Sequence, residues 1–96
     1  MKNRAAIVEA LKALTKKWYE WDKVKKDLIE TTVSPTVIER DGKIVVSAED
    51  GLYWADYYGE FHGGDMYIEP ILEAFAKERG LFWEWENPGA ISLHEA

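Results

Sequence analysis

Thr36-Val37-Ile38-Glu39-Arg40-Asp41-Gly42-Lys43-Ile44-Val45-Val46-Ser47 is the stretch on which the fold turns. Two runs rich in β-branched residues flank Asp41-Gly42. A type I′ turn needs positive φ at both central residues, which Asp-Gly supplies, so the stretch predicts an antiparallel hairpin. Glu49-Asp50-Gly51 reads as the next turn, and Leu52-Tyr53-Trp54-Ala55-Asp56-Tyr57-Tyr58 as a third, aromatic strand.

Working outward, the C-terminal residues predict a second hairpin. Leu81 to Glu86 and Ala90 to His94 flank Asn87-Pro88-Gly89. A three-residue loop sets Glu86 opposite Ala90, Trp85 opposite Ile91 and Trp83 opposite Leu93. The apolar partners then share one face, and Phe82, Glu84, Ser92 and His94 share the other. Between the hairpins, a helix starts near Ile68 to Pro70, because proline is best tolerated in a first turn. Ile71, Leu72, Phe75 and Ala76 form its apolar face, and Gly80 is placed as its C′ residue.

Toward the N-terminus, Ile7, Leu11, Leu14, Trp18, Trp21, Val24 and Leu28 recur at steps of three and four. This stripe predicts one helix from Asn3 or Arg4 to Glu30, ended before Ser34 by Pro35. At 1.5 Å per residue, about 27 residues reach roughly 40 Å. A helix that long overhangs a small sheet or pairs with a second copy. Lys25 falls on the apolar stripe, which requires snorkelling or a bend near Asp22.

The expected order is αβββαββ in one α+β domain spanning residues 1–96, a two-layer sandwich. An antiparallel sheet of about five strands carries two helices on one face. The expected core is Ile7, Leu11, Leu14, Trp18, Trp21, Leu28, Val46, Ile71, Leu72, Phe75, Trp83, Trp85, Ile91 and Leu93.

Composition bounds the function. The 96 residues hold 18 acidic and 12 basic side chains, a formal charge of −6, and no cysteine. Thiolate metal sites and disulfides are excluded. No apolar run is long enough to span a membrane, and charged residues interrupt the basic start, so neither a membrane segment nor a signal peptide is read. A cytoplasmic location is the default expectation. Lys and Glu are plentiful while Gln is absent, a usage seen in thermophile proteins. Residues 31–96 carry thirteen acidic and four basic side chains, which disfavours nucleic acid. Residues 1–30 carry eight basic and five acidic ones, so the two parts attract, within one chain or between two copies.

Catalytic sets are sparse. No serine sits in a Gly-x-Ser-x-Gly setting. Ser92, His94 and Glu84 gather on one strand face, but Ser, His and Glu are ordinary on a wet hairpin face. Glu84 and Glu86 with Asp56 raise a glycosidase idea that a chain this small has little room to house. His62-Gly63-Gly64-Asp65 reads as a turn, because Asp65 and Glu69 put negative charge where a phosphate would sit. No dinucleotide fingerprint or Walker lysine is present, so no cofactor is expected.

Asp56, Glu60, His62 and Asp65 are the candidate ligand or metal residues, a mixed oxygen and nitrogen donor set. The most unusual residues are Tyr53, Trp54, Tyr57, Tyr58 and Phe61, five aromatics within nine positions. On a strand they point to both faces, and helices on one side cover only one of them. Rings left outside suit a protein partner, a second copy, or a sugar or cationic ligand. The chain is therefore expected to be a non-enzymatic interaction module, self-associating as a dimer or binding a protein partner, with a small-ligand or metal-binding loop at 56–65 as the alternative.

Overall fold

The structure, a computed structural model, describes residues 1–60 and 62–96. The elements in chain order are α1 (Arg4–Lys12), β1 (Lys16–Asp22), β2 (Asp27–Val33), β3 (Val37–Arg40), β4 (Lys43–Ser47), β5 (Ala55–Asp56), β6 (Tyr67–Ile68), α2 (Pro70–Glu78), β7 (Leu81–Asn87) and β8 (Ala90–Glu95). The fold is mixed α+β, with two helices and antiparallel sheets. The main sheet has four strands in the order β3-β4-β8-β7, where about five were expected.

The hairpin around Asp41-Gly42 forms as expected. Val37 pairs with Val46 and Arg40 with Lys43, and Asp41 and Gly42 hold φ of 52° and 75°, the positive pair a type I′ turn demands. The last hairpin also keeps its register, with Trp83 opposite Leu93 and Trp85 opposite Ile91. Its turn is one residue tighter: Asn87 pairs with Ala90, and Glu86 bulges out of the ladder. The Asn87 side chain closes this turn by accepting from Gly89 N–H at 2.8 Å. Helix α2 starts at Pro70, and Gly80, at φ 67°, ends it.

Three expectations are corrected. The 27-residue helix is replaced by the nine-residue α1 followed by an antiparallel ribbon, β1 against β2. The bend at Asp22 is a chain reversal: Asp22 Oδ1 accepts the N–H groups of Val24 and Lys25, at 2.8 and 3.1 Å, and Lys26 turns left-handed at φ 52°. Local capping of the turn by an aspartate, with Trp, Tyr, Ile, Thr and Val on both arms, outweighs the three-and-four spacing. The aromatic stretch 52–58 is not a full strand, since only Ala55 and Asp56 pair, with Ile68 and Tyr67. The order of elements differs accordingly.

The core joins one side of the main sheet (Ile44, Val46, Trp83, Ile91, Leu93) with Val8 and Leu11 of α1 and Leu72, Phe75 and Ala76 of α2. Fully burying a Leu or Ile of this kind contributes about 1.5–3 kcal/mol. The Trp83 indole N–H donates to the Leu72 carbonyl at 2.8 Å, pinning α2 to β7. Ile7, Leu14, Ile71 and Trp85 pack at the margin. Trp21 and Leu28, expected in the core, stand exposed on the ribbon.

The ribbon is fastened to the body at its base. Lys16 Nζ lies 5.5 Å from the Trp18 ring centre, 5.1 Å from that of Trp54 and 3.7 Å from a Glu69 oxygen. Burial pushes the Lys16 ammonium below its ordinary pKa, opposed by the Glu69 charge.

Candidate functional site

The segment after β4 is built largely from turns, which send some of its side chains outward and others into the core without strand alternation. Asp50 Oδ1 accepts the Leu52 N–H at 2.9 Å and closes one turn. Tyr53 then adopts φ 56°, a left-handed conformation costing a bulky residue roughly 1–3 kcal/mol. Trp54 reverses inward and is fully buried. Asp56, also buried, accepts the Gly59 N–H at 3.0 Å through Oδ1. Gly59, at φ 63°, accepts in turn from His62 and Gly64 N–H, both at 2.9 Å.

These turns leave a cavity of about 330 Å³ whose wall includes Tyr53, Tyr57, Tyr58, Glu49, Asp56 and Glu60, completed by Ala48, Gly51 and Pro88. Among the described residues no lysine or arginine lines it. The Tyr57 ring stands edge-on to Tyr58 at 5.2 Å and to Trp85 at 5.3 Å, which fixes it against the end of the main sheet. Tyr58 is 67% exposed and forms the outer lip. Rings present a negative face and carboxylates a full charge, so the cavity is electronegative on every polar side.

Five of the residues singled out in the sequence therefore meet here: Tyr53, Asp56, Tyr57, Tyr58 and Glu60. Trp54 does not, being in the core. His62 does not line the cavity; it is stacked on Tyr67 at 3.4 Å with Nδ1 3.5 Å from Asp56 Oδ2. Asp65 is exposed and does not line the cavity, and Phe61 lies outside the described residues. Among the described residues no group of three or more His, Asp or Glu side chains comes together to hold a metal ion, so Asp56, Glu60, His62 and Asp65 do not assemble as a ligand set. Sequence reasoning missed Glu49 and Pro88. They arrive because Ser47 pairs with Ala90 and Ala48 N–H donates to the Gly89 carbonyl at 2.7 Å, a juxtaposition of two turns forty residues apart in the chain.

No family model, no curated protein and no solved structure matches the chain, so a functional reading rests on the site itself.

Two other features compete with this cavity and carry less. A larger depression of about 480 Å³ between α1 and Arg79 is walled by Ala6, Ile7 and Ala10. Its one guanidinium is already engaged, donating to the Phe75 carbonyl at 3.0 Å and lying 3.8 Å over that ring. On the main sheet, Ser92 Oγ lies 2.7 Å from His94 Nε2 and 2.5 Å from Glu86 Oε1, and Lys43 Nζ holds the same carboxylate at 2.9 and 3.1 Å. The carboxylate is Glu86, not the expected Glu84. Ser92 is fully buried and stands between the other two groups. It can give its one proton to Glu86 and accept from His94, a brace across three strands with no open path to the hydroxyl.

The hydrogen bond from Ser92, and next that from Lys43, holds the Glu86 carboxyl below the usual carboxylate range. A depressed carboxylate contributes stability that is full above its unfolded pKa and is lost as pH falls through the folded one. Ser92→Ala is therefore expected to move the Glu86 titration upward in a carboxyl NMR titration and to shrink the stability difference between neutral and acid pH. A midpoint that stays put would assign the effect to Lys43 alone.

Proposed function

We propose that this protein is a non-enzymatic interaction module whose tyrosine-and-carboxylate cavity takes a cationic group, a protonated or methylated amine, from its partner. The body is taken as two layers, with both helices over the Ile44 and Val46 side of the main sheet. The single observation behind the proposal is the cavity wall: among the described residues, three tyrosines and three carboxylates with no basic side chain. A volume of about 330 Å³ is at the small end for ligand pockets and holds an ammonium headgroup, and the wall of carboxylates and tyrosines, not the size, favours a cation. A cation over an aromatic ring gains about 0.5–1 kcal/mol at an exposed site and about 2 kcal/mol when desolvated, and each carboxylate adds attraction at long range.

Tetramethylammonium is the direct probe, titrated by calorimetry or aromatic fluorescence at low salt. Tyr58→Ala is expected to weaken it about 2- to 5-fold, the equivalent of roughly 0.5–1 kcal/mol for one exposed ring, with little change in the melt for the same reason. Glu60→Gln is expected to weaken it less, and rising salt to weaken it further. Absence of binding at millimolar probe, or equal binding by Tyr58→Ala, would remove this reading.

A further inference from the structure

The β1–β2 ribbon is the other feature that exposes large apolar side chains. It pairs strand to strand from Lys16–Val33 to Asp22–Asp27 and then runs clear of the body. The molecule measures 47 × 29 × 23 Å, and its radius of gyration is 14.5 Å, against about 12.5 Å for a compact chain of this length. A lone two-stranded ribbon is at best marginally stable in water. This one leaves Tyr19 59%, Trp21 61% and Leu28 61% exposed on one face, and Val24 92% exposed at the tip. Large apolar side chains clustered in this way mark a surface that something covers.

Charge says what covers it. The tip Lys23-Val24-Lys25-Lys26 carries three positive charges, and none of these lysines forms an ion pair among the described residues. Outside the ribbon, residues 1–15 and 34–96 hold fourteen acidic side chains against seven basic ones. The cavity presents Glu49, Asp56 and Glu60 together with tyrosine faces, the chemistry that receives a lysine ammonium.

We infer that a second copy of this chain is the partner: the lysine tip of one ribbon seats in the tyrosine-and-carboxylate cavity of the other copy. The Tyr19, Trp21 and Leu28 face lies against that copy's body. The inference rests on the cation-binding reading of the cavity and adds the identity of the partner. The contact is reciprocal, so two arms and two cavities close a two-fold dimer with no site left over. Seven paired residues at about 3.4 Å each give the arm a reach of roughly 24 Å, long enough to cross to a neighbour.

Sedimentation equilibrium of the full chain at low salt tests it, from 1 to 100 µM, with tetramethylammonium titrated in parallel. The wild-type chain is expected to be dimeric at tens of micromolar and to dissociate in millimolar tetramethylammonium. The triple variant K23E/K25E/K26E is expected to dimerise at least tenfold more weakly while still binding the probe. The double variant E49K/E60K is expected to be monomeric and to lose the probe. An equimolar mixture of the two is expected to recover a dimer, because each arm again meets a cavity of opposite sign. A wild-type chain that stays monomeric at 100 µM yet binds the probe overturns the second-copy inference and leaves the cavity reading standing. A dimer unaffected by K23E/K25E/K26E overturns it as well. Capture of a strictly monomeric chain by phosphatidylserine vesicles does the same and gives the arm to a lipid surface. Failure of the probe to bind, by contrast, is the failure of the cavity reading.

Discussion

Trp54→Ala is expected to cost about 3–5 kcal/mol, a large share of what a chain this small has to lose. Trp54 is the largest of the fully buried side chains, and it packs within the core cluster that also holds Leu11 and Leu72. Its removal opens a cavity between elements far apart in sequence. The loss also reaches the ribbon, since the Lys16 ammonium rests over the Trp54 ring and has its carboxylate partner in Glu69. Amide exchange across Lys16–Val33 is thus expected to quicken in the variant. Trp54→Phe separates shape from polarity. Among the described residues the Trp54 indole N–H finds no hydrogen-bond acceptor, so Phe removes a buried unsatisfied donor while losing part of the volume. Its expected cost is about 1–2 kcal/mol, well below that of Ala. Chemical denaturation of the three chains decides the matter: equal stabilities of Trp54→Ala and wild type would place the ring outside the core.

Gly59→Ala has the second large effect, and its cause is backbone geometry. Gly59 is buried at φ 63°, and a Cβ there would overlap the Asp65 carbonyl oxygen and lie 2.5 Å from the Asp65 nitrogen. Both obstacles are main chain, which no rotamer change relieves. Adding the left-handed penalty to the overlap gives an expected cost of about 3 kcal/mol or more. The damage is local in kind: the bonds from His62 and Gly64 N–H to the Gly59 carbonyl, and from Gly59 N–H to Asp56, are all made by this one residue. Loss of that loop removes Asp56, Tyr57, Tyr58 and Glu60 from their common cavity. Tetramethylammonium affinity is therefore expected to fall with stability. Gly63→Ala is the control: its φ is also positive, at 74°, but among the described residues no atom beyond its chain neighbours lies within 4 Å of the place a methyl group would take, so it carries the conformational cost alone. Similar melts for the two variants would show that the Asp65 contact is unimportant.

Strand pairing in the main sheet is legible in the sequence, where turn residues and apolar partners agree. Asp41-Gly42 determines the β3–β4 register by φ alone, and matching apolar partners align Trp83 with Leu93. Pro70 and Gly80 mark both ends of α2 for the same local reason. The ribbon is not legible, because the three-and-four spacing of Trp18, Trp21, Val24 and Leu28 has meaning only if a core lies on one side of them. They stand on a projecting arm, so no burial enforces the helical period, and the Asp22 turn decides the path. The aromatic segment shows the intermediate case. Its composition marks a candidate surface, yet Tyr53 at positive φ breaks the strand alternation from which the facing of each ring would follow.

Residue identity alone thus determined the α+β class, both hairpins of the main sheet and the second helix. Those features depend on contacts within a few positions, where dihedral preference and side-chain pairing act directly. Only the tertiary structure decided that Trp54 turns inward, that Glu49 and Pro88 join the cavity wall, and that residues 16–33 leave the body as an arm. Glu49 and Pro88 meet because β4 pairs with β8, while the burial of Trp54 and the exposure of the arm depend on which distant surfaces the core reaches, which belongs to packing of the whole chain and not to any short stretch of it.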